Sequence, residues 1–192
     1  RAYRDWMPVS DPGPGGVEWG TYEIGSLATL FKLETRISGR SKLLELEDAL
    51  KGRKDLDRAL TEFRDGVLQD PARTMLGATQ EAWLAAELAR SRRSGTRWQV
   101  LAQQTVMGER ILQQRALDWV ADDAPDYLKR GARVGVAAAK LGMGYDFDAW
   151  TGFPAARARL LAAAQRADAD LVVLSGDSHN GWAYDLAHDG RA

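Results

Sequence analysis

Hydrophobic and polar positions change period several times along the 192 residues. Around Gly25, Tyr22 and Ile24 and then Leu30, Phe31 and Leu33 predict one or two strands over 21–33. Over 40–68, Leu43, Leu46, Leu50, Leu60, Phe63 and Val67 recur at three- and four-residue steps, with a slip near Gly52. That pattern predicts helical pieces with one apolar face. Trp83, Leu84 and Leu88 predict a helix over 79–91, capped by Thr79, with Glu81 in its first turn and Arg90–Arg93 and Gly95 closing it. A strand centred on Val100 and Leu101 is expected over 98–104. Further helical pieces are expected over 113–141, where Pro125 is placed to start one, and a helix runs from Pro154 to about Arg166 in Ala-rich, Arg-studded sequence. The continuous apolar run Leu171–Leu174 predicts a strand buried on both faces. Loops fall at 8–20, dense in Pro and Gly, and at 142–152, rich in aromatics and acids. A helix, a buried strand and then a polar turn predict an α/β (α+β) sheet whose chemistry lies beyond the strand's C-terminal end.

Charge and composition narrow the function classes. Lys+Arg (26) and Asp+Glu (27) leave a net charge of -1, so no nucleic-acid-binding surface is expected. The local cluster Arg90, Arg92, Arg93 and Arg97 reads as a solvated helix end. With no cysteine, disulfides and thiolate zinc sites are excluded within the chain. No apolar run approaches the roughly 18 residues of a transmembrane segment. No signal peptide is visible, and the chain opens on Arg1, which suggests a fragment or a processed product. Of the seven tryptophans, Trp150 and Trp182 sit in Gly-containing loop sequence, where core packing is a less automatic explanation.

The densest concentration of functional groups is Ser175-Gly176-Asp177-Ser178-His179-Asn180, directly after the last predicted strand. Asp and His are suitable metal ligands and Asn can add a carbonyl oxygen; a polar turn with a capping Asp is the plainer alternative. His188 is expected at the surface. Asp146 and Asp148 could bind a hard cation or hold the shape of their loop. Glu34, Arg36 and Arg40 follow an apolar strand. Arginine suits phosphate through its planar fork, while a salt bridge from Glu34 to one of these arginines is the commoner arrangement. Arg73-Thr74-Met75-Leu76-Gly77 is expected to pack and cap the helix that follows it. No GxSxG elbow, P-loop or strand-linked GxGxxG is present.

Five segments in order resemble the PhoD-like (alkaline phosphatase D) metallophosphoesterase family. Leu33-Glu34-Thr35-Arg36 with Arg40 is similar to its LDTR strand, with Glu for the usual Asp. Arg73-Thr74-Met75-Leu76-Gly77 with Gln80, Trp83 and Leu84 resembles its RTMLG..Q..WL segment, and Trp98–Gln104 the strand that follows. Trp150-Thr151-Gly152-Phe153-Pro154 with Arg157 is similar to WDGYP..R. Leu174–His179, continued by Asn180, Trp182, Asp185 and Leu186, is similar to LSGDVH. The resemblance implies part of a calcineurin-like four-layer αββα metallophosphoesterase sandwich with its metal site at the strand ends. It makes Asp177 and His179 metal ligands, and Asn180 and Arg157 substrate-side residues, Arg157 by organising its neighbouring loop. It assigns no firm catalytic side chain. It further implies metal ions, iron and calcium, and hydrolysis of phosphate monoesters or diesters by metal-bound hydroxide, in a periplasmic or secreted protein. The family's first metal-ligand motifs would lie upstream of Arg1, so residues 1–192 are expected to be a partial PhoD-like phosphatase domain. Thr151 and Phe153 replace the usual Asp and Tyr, which motivates an alternative, a non-catalytic phosphatase-like binding module.

Overall fold

A computed structural model describes Trp6 and residues 18–188. Most of the Pro- and Gly-rich loop expected over 8–20 lies outside the described residues. Where one or two strands are expected around Gly25, two form a hairpin, β1 (Gly20–Ile24) and β2 (Ala28–Lys32), paired antiparallel. Gly25 takes φ +52° in the turn, a conformation open to glycine without a Cβ clash. β3 (Trp98–Gln103) pairs parallel with β2, and β4 (Leu171–Ser175) parallel with β3, giving the order β1-β2-β3-β4.

Parallel neighbours require long crossovers. Between β2 and β3 the chain forms α1 (Leu46–Leu50), α2 (Leu56–Phe63) and α3 (Gly77–Arg93). Between β3 and β4 it forms α4 (Asp126–Lys140) and α5 (Pro154–Arg166). A π turn, Arg64–Leu68, continues α2, and 3-10 turns lie at Gln114–Trp119 and Trp150–Gly152. The result is a mixed α/β fold.

The sheet has two unequal faces. Thr21, Phe31, Leu101 and Val173 form one row across the four strands, and Tyr22, Leu30, Val100 and Val172 form the next. Side chains alternate between faces along a strand, so these rows point to opposite sides. Phe31 and Leu101 are fully buried with Leu84 and Leu88 of α3, Leu160 and Leu161 of α5, and the rings of Trp150 and Phe153. A second cluster joins Leu50, Leu60, Phe63 and Leu68 to Ala138, Met143 and Phe147, where the Phe63 and Phe147 rings meet edge to face at 5.4 Å. The opposite sheet face presents Tyr22, Ile24, Trp98, Val172 and Leu174 to solvent. This corrects the expectation of a strand buried on both faces. Val172 and Leu174 are 38% and 54% exposed, because among the described residues helices cover one side of the sheet only.

Helix α3 starts two residues before the predicted boundary, and Thr79 does not cap it. Leu76 stands at the cap position, and Thr74 Oγ1 accepts the Gly77 N–H at 2.8 Å. Glu81 therefore falls beyond the first turn, where both its oxygens accept from Arg159 of α5, at 2.8 and 2.9 Å. The C-terminal arginines behave as expected of a solvated helix end: Arg90 pairs with Glu87 and Glu23, and Arg92 with Asp168 and Asp170. Pro125 immediately precedes α4, and Pro154 opens α5.

Candidate functional site at the C-terminal ends of the parallel strands

All three parallel strands deliver polar side chains to one edge of the sheet. Beyond β2, Leu33 N–H still bonds the Ala102 carbonyl, and Glu34 follows. Gln80 of α3, fully buried, holds the Glu34 peptide from both sides: its Oε1 accepts from Glu34 N at 2.9 Å and its Nε2 donates to Glu34 O at 2.8 Å. The Glu34 carboxylate accepts the backbone N–H groups of Arg36, Ile37 and Ser38 and the Ser38 hydroxyl, at 2.6–3.1 Å. Burial pushes this carboxyl up, but the hydrogen bonds outweigh it and hold Glu34 below its ordinary value. Thr35 N and Oγ1 both donate to Gln104 Oε1, which ties the loop to the end of β3.

The expected salt bridge from Glu34 to Arg36 or Arg40 does not form. Glu34 is taken up by the three main-chain donors, and the arginines reach outward. Arg36 places one terminal nitrogen on Asp148 and the other on Asp177. Arg40 donates to the second oxygen of Asp148 at 2.6 Å and to its carbonyl at 3.2 Å. Burial pushes the Asp148 carboxyl up, and Arg40 and Arg36 together bring it below the ordinary carboxylate value. Asp146 pairs with Arg110 and accepts the Asp148 N–H, so of the two roles open to Asp146 and Asp148 the structure shows the shaping of a loop. Trp150 is fully buried and donates its indole N–H to Gln103 Oε1 at 2.7 Å, so this loop tryptophan is a core residue after all.

The turn after β4 is held differently. Asp177 and His179 are exposed and take φ +74° and +56°. Positive φ is uncommon outside glycine, and such strain concentrates at functional sites. Asn180 accepts Trp182 Nε1 on its Oδ1 at 2.6 Å, and the Trp182 and Tyr184 rings stack at 5.9 Å. Ser178, Asn180, Trp182 and Tyr184 line an open cavity of about 640 Å³ along β4. Arg157, on α5, donates to the Met107 carbonyl at 3.0 Å and faces Glu109 at 3.7 Å, bracing the segment beyond β3. His188 is half-buried, and its carbonyl accepts from Gln165 at 3.0 Å.

The structure thus gathers Arg36, Arg40, Asp148 and Asp177 and commits Arg157 to a neighbouring segment. Among the described residues no group of three or more His, Asp or Glu side chains could hold a metal ion. Asp177 and His179 have the right donor chemistry for a metal, but two donors make a partial set. A complete site needs further ligands from outside the described residues.

The profile of the PhoD-like phosphatase family matches residues 1–192. The chain belongs to this family. It is 31% identical over 194 residues to Alkaline phosphatase D of Bacillus subtilis (strain 168), a match covering 98% of this chain and 26% of the relative. Its fold is similar to the solved structure titled "Structure of PhoD", with a TM-score of 0.54 and 24% identity over 93% of this chain and 27% of the other. The chain therefore spans about a quarter of the length of the relatives it matches.

Within the family frame, the residues that sequence reasoning undervalued are amides. Gln80, Gln103 and Gln104 each bond a residue of the strand-end loops. The available signal was a glutamine at the end of an apolar strand or amid an apolar helix face, where burial demands a polar partner. No helix among the described residues is long and apolar enough to cross a membrane.

Proposed function

We propose that this chain contributes part of the active site of a metal-dependent hydrolase acting on phosphate monoesters or diesters. The observation that carries the reading is the position of Asp177 and His179: exposed, with left-handed backbone, beyond the C-terminal end of the last parallel strand. Family membership supplies the reaction class. Asp177 and His179 would hold a metal, iron or calcium, with ligands from elsewhere in a longer chain. When bound, the metal lowers the pKa of a water and polarises the phosphoryl group. Asn180, whose Oδ1 is taken by Trp182, keeps its amide nitrogen to donate to a phosphoryl oxygen. Arg157 keeps the segment at Met107–Glu109 in place beside the cavity.

The bare apolar sheet face supports the four-layer αββα arrangement. With α3 and α5 on one side, a second sheet on the other would bury Tyr22, Ile24, Trp98, Val172 and Leu174.

The test is hydrolysis of a chromogenic phosphate diester and monoester by the full-length protein that carries these residues, supplied with calcium and iron, beside His179→Ala. The variant is expected to lose bound metal and to lower kcat/KM by at least about 100-fold. Unchanged metal and turnover would sink the assignment. One feature favours the non-catalytic binding module: Thr151 and Phe153 stand where the family usually has Asp and Tyr, and both are buried in this chain. A folded, metal-loaded protein that turns over neither ester would decide for that module.

A further inference from the structure

We propose that Arg36 is the positioning residue for Asp177, its guanidinium fork joining the turn after β4 to the loop carrying Asp148. This inference rests on Asp177 being a metal ligand. Arg36 is separated from Asp177 by 141 positions in sequence, yet one terminal nitrogen lies on Asp177 Oδ2 while the other lies on Asp148 Oδ2.

Two observations make the fork a fixed element, and a third leaves Asp177 able to bind. The first is its base. Main-chain N–H groups 36, 37 and 38 all converge on the buried Glu34 carboxylate, and the peptides of Glu34 and Thr35 are tied to Gln80 and Gln104. The second is its anchor. Both oxygens of Asp148 are occupied, one by Arg36 and one by Arg40, whose side chain is only 13% exposed. The third is what it leaves available. Arg36 takes Oδ2 of Asp177, and among the described residues Oδ1 remains for a cation.

The planar guanidinium is suited to this task. It directs two N–H groups to two different carboxylates at once, whereas a lysine ammonium is a single point charge on a flexible stem. Changing a partner that orients a metal ligand from behind typically costs about 10–100-fold in metal affinity or activity. Asp177 otherwise sits exposed in a left-handed turn, where its side chain would sample several rotamers.

The experiment uses the full-length protein and its Arg36→Ala, Arg36→Lys and His179→Ala variants. Metal retained per chain is measured by elemental analysis after dialysis against graded chelator, alongside ester hydrolysis and the thermal midpoint of the fully chelated protein. Both Arg36 variants are expected to retain metal about 10–100-fold less tightly, with kcat falling in step, and Lys failing to rescue Ala. The chelated midpoints should stay within about 2 °C of the parent, showing that the fold is intact. If Arg36→Ala proves unfolded, Arg36→Lys, which keeps the charge and the aliphatic stem, carries the same test. Retention equal to or tighter than the parent in a folded Arg36 variant overturns the proposal; tighter binding would make Arg36 a competitor for Asp177. If His179→Ala loses metal and activity while both Arg36 variants keep them, only the Arg36 assignment falls. If His179→Ala also keeps both, the reading of the site as a metal centre falls with it.

Discussion

Glu34→Gln is the sharpest probe of how the strand-end loop is built, because it removes one charge with almost no change of shape. The carboxylate offers Oε1 to Arg36 N at 2.7 Å and to Ile37 N at 2.9 Å, and Oε2 to Ser38 N at 2.6 Å, Ser38 Oγ at 2.8 Å and Ile37 N at 3.1 Å. A glutamine keeps one acceptor oxygen. If that oxygen takes the place of Oε2, its NH2 faces Arg36 N–H, donor against donor, and that group loses its acceptor. An orphaned buried N–H costs about 1–3 kcal/mol, and hydrogen bonds to a charged acceptor contribute about 1.5–3 kcal/mol where neutral ones give about 1. The expected loss is therefore about 2–4 kcal/mol at neutral pH.

The sign of the pH dependence follows from the same bonds. Glu34 is held below its ordinary value of 4.5, the hydrogen bonds outweighing burial. Its contribution to stability is thus fully present above the unfolded-state value and lost as pH falls through the lowered folded-state value. The gap between parent and variant should be widest near neutral pH and should close progressively below about pH 4.5. Urea unfolding followed by tryptophan fluorescence at several pH values measures it, provided the urea slope m is unchanged between the two proteins. A gap under about 0.5 kcal/mol, or one that does not shrink in acid, would refute the account of Glu34 as the loop's organising acceptor.

Two further substitutions test the scaffold around it. Gly39 has φ +134°, and an added Cβ would lie 2.6 Å from the Leu76 carbonyl oxygen and 3.0 Å from Gly77 Cα. Gly39→Ala should therefore cost about 2–4 kcal/mol in urea unfolding, and a loss under about 0.5 kcal/mol would contradict that close approach. Trp150→Phe removes the indole N–H that donates to Gln103 and opens space in a fully buried site. It should lower stability by about 2–3 kcal/mol, read from the thermal midpoint and the near-ultraviolet dichroism of the remaining tryptophans.

Much of the scaffold was legible because it is local. Hairpin, helix and strand positions follow from periodicity and from Gly25, Pro154 and Gly95, which act within a few residues of themselves. The errors arose where a longer-range fact decided the outcome. Thr79 looked like a cap, but the loop carrying Thr74 folds over the helix start and supplies the hydroxyl instead. Leu171–Leu174 looked doubly buried because an apolar run reports hydrophobicity and not which face finds a partner. Glu34 looked like an ion-pair partner, but three main-chain N–H groups in a tight loop reach the carboxylate first. Family resemblance located the Asp177–His179 turn, whereas the junction of Arg36 with Asp148 and Asp177 needs the folded chain. Nothing in residue spacing brings positions 36, 148 and 177 together.

The hydrogen bonds separate two kinds of polar residue at this edge of the sheet. Glu34, Gln80 and Thr35 are buried and multiply bonded, and each ties the main chain of one element to a neighbouring strand or helix. Buried polar groups of that kind are costly unless fully paired, so their arrangement has one stable solution. Asp177, His179 and Asn180 are exposed, and Asp177 and His179 have left-handed backbone conformations. Glycine fits such positions best, with asparagine and aspartate next. Asp and His are among the side chains that tolerate this conformation, and Asp168 adopts it too at the end of α5, so at Asp177 and His179 the backbone costs little and their side chains are left at the surface. Arg36 is the link between the two sets, rigid at its base through Glu34 and reaching the exposed turn at its tip.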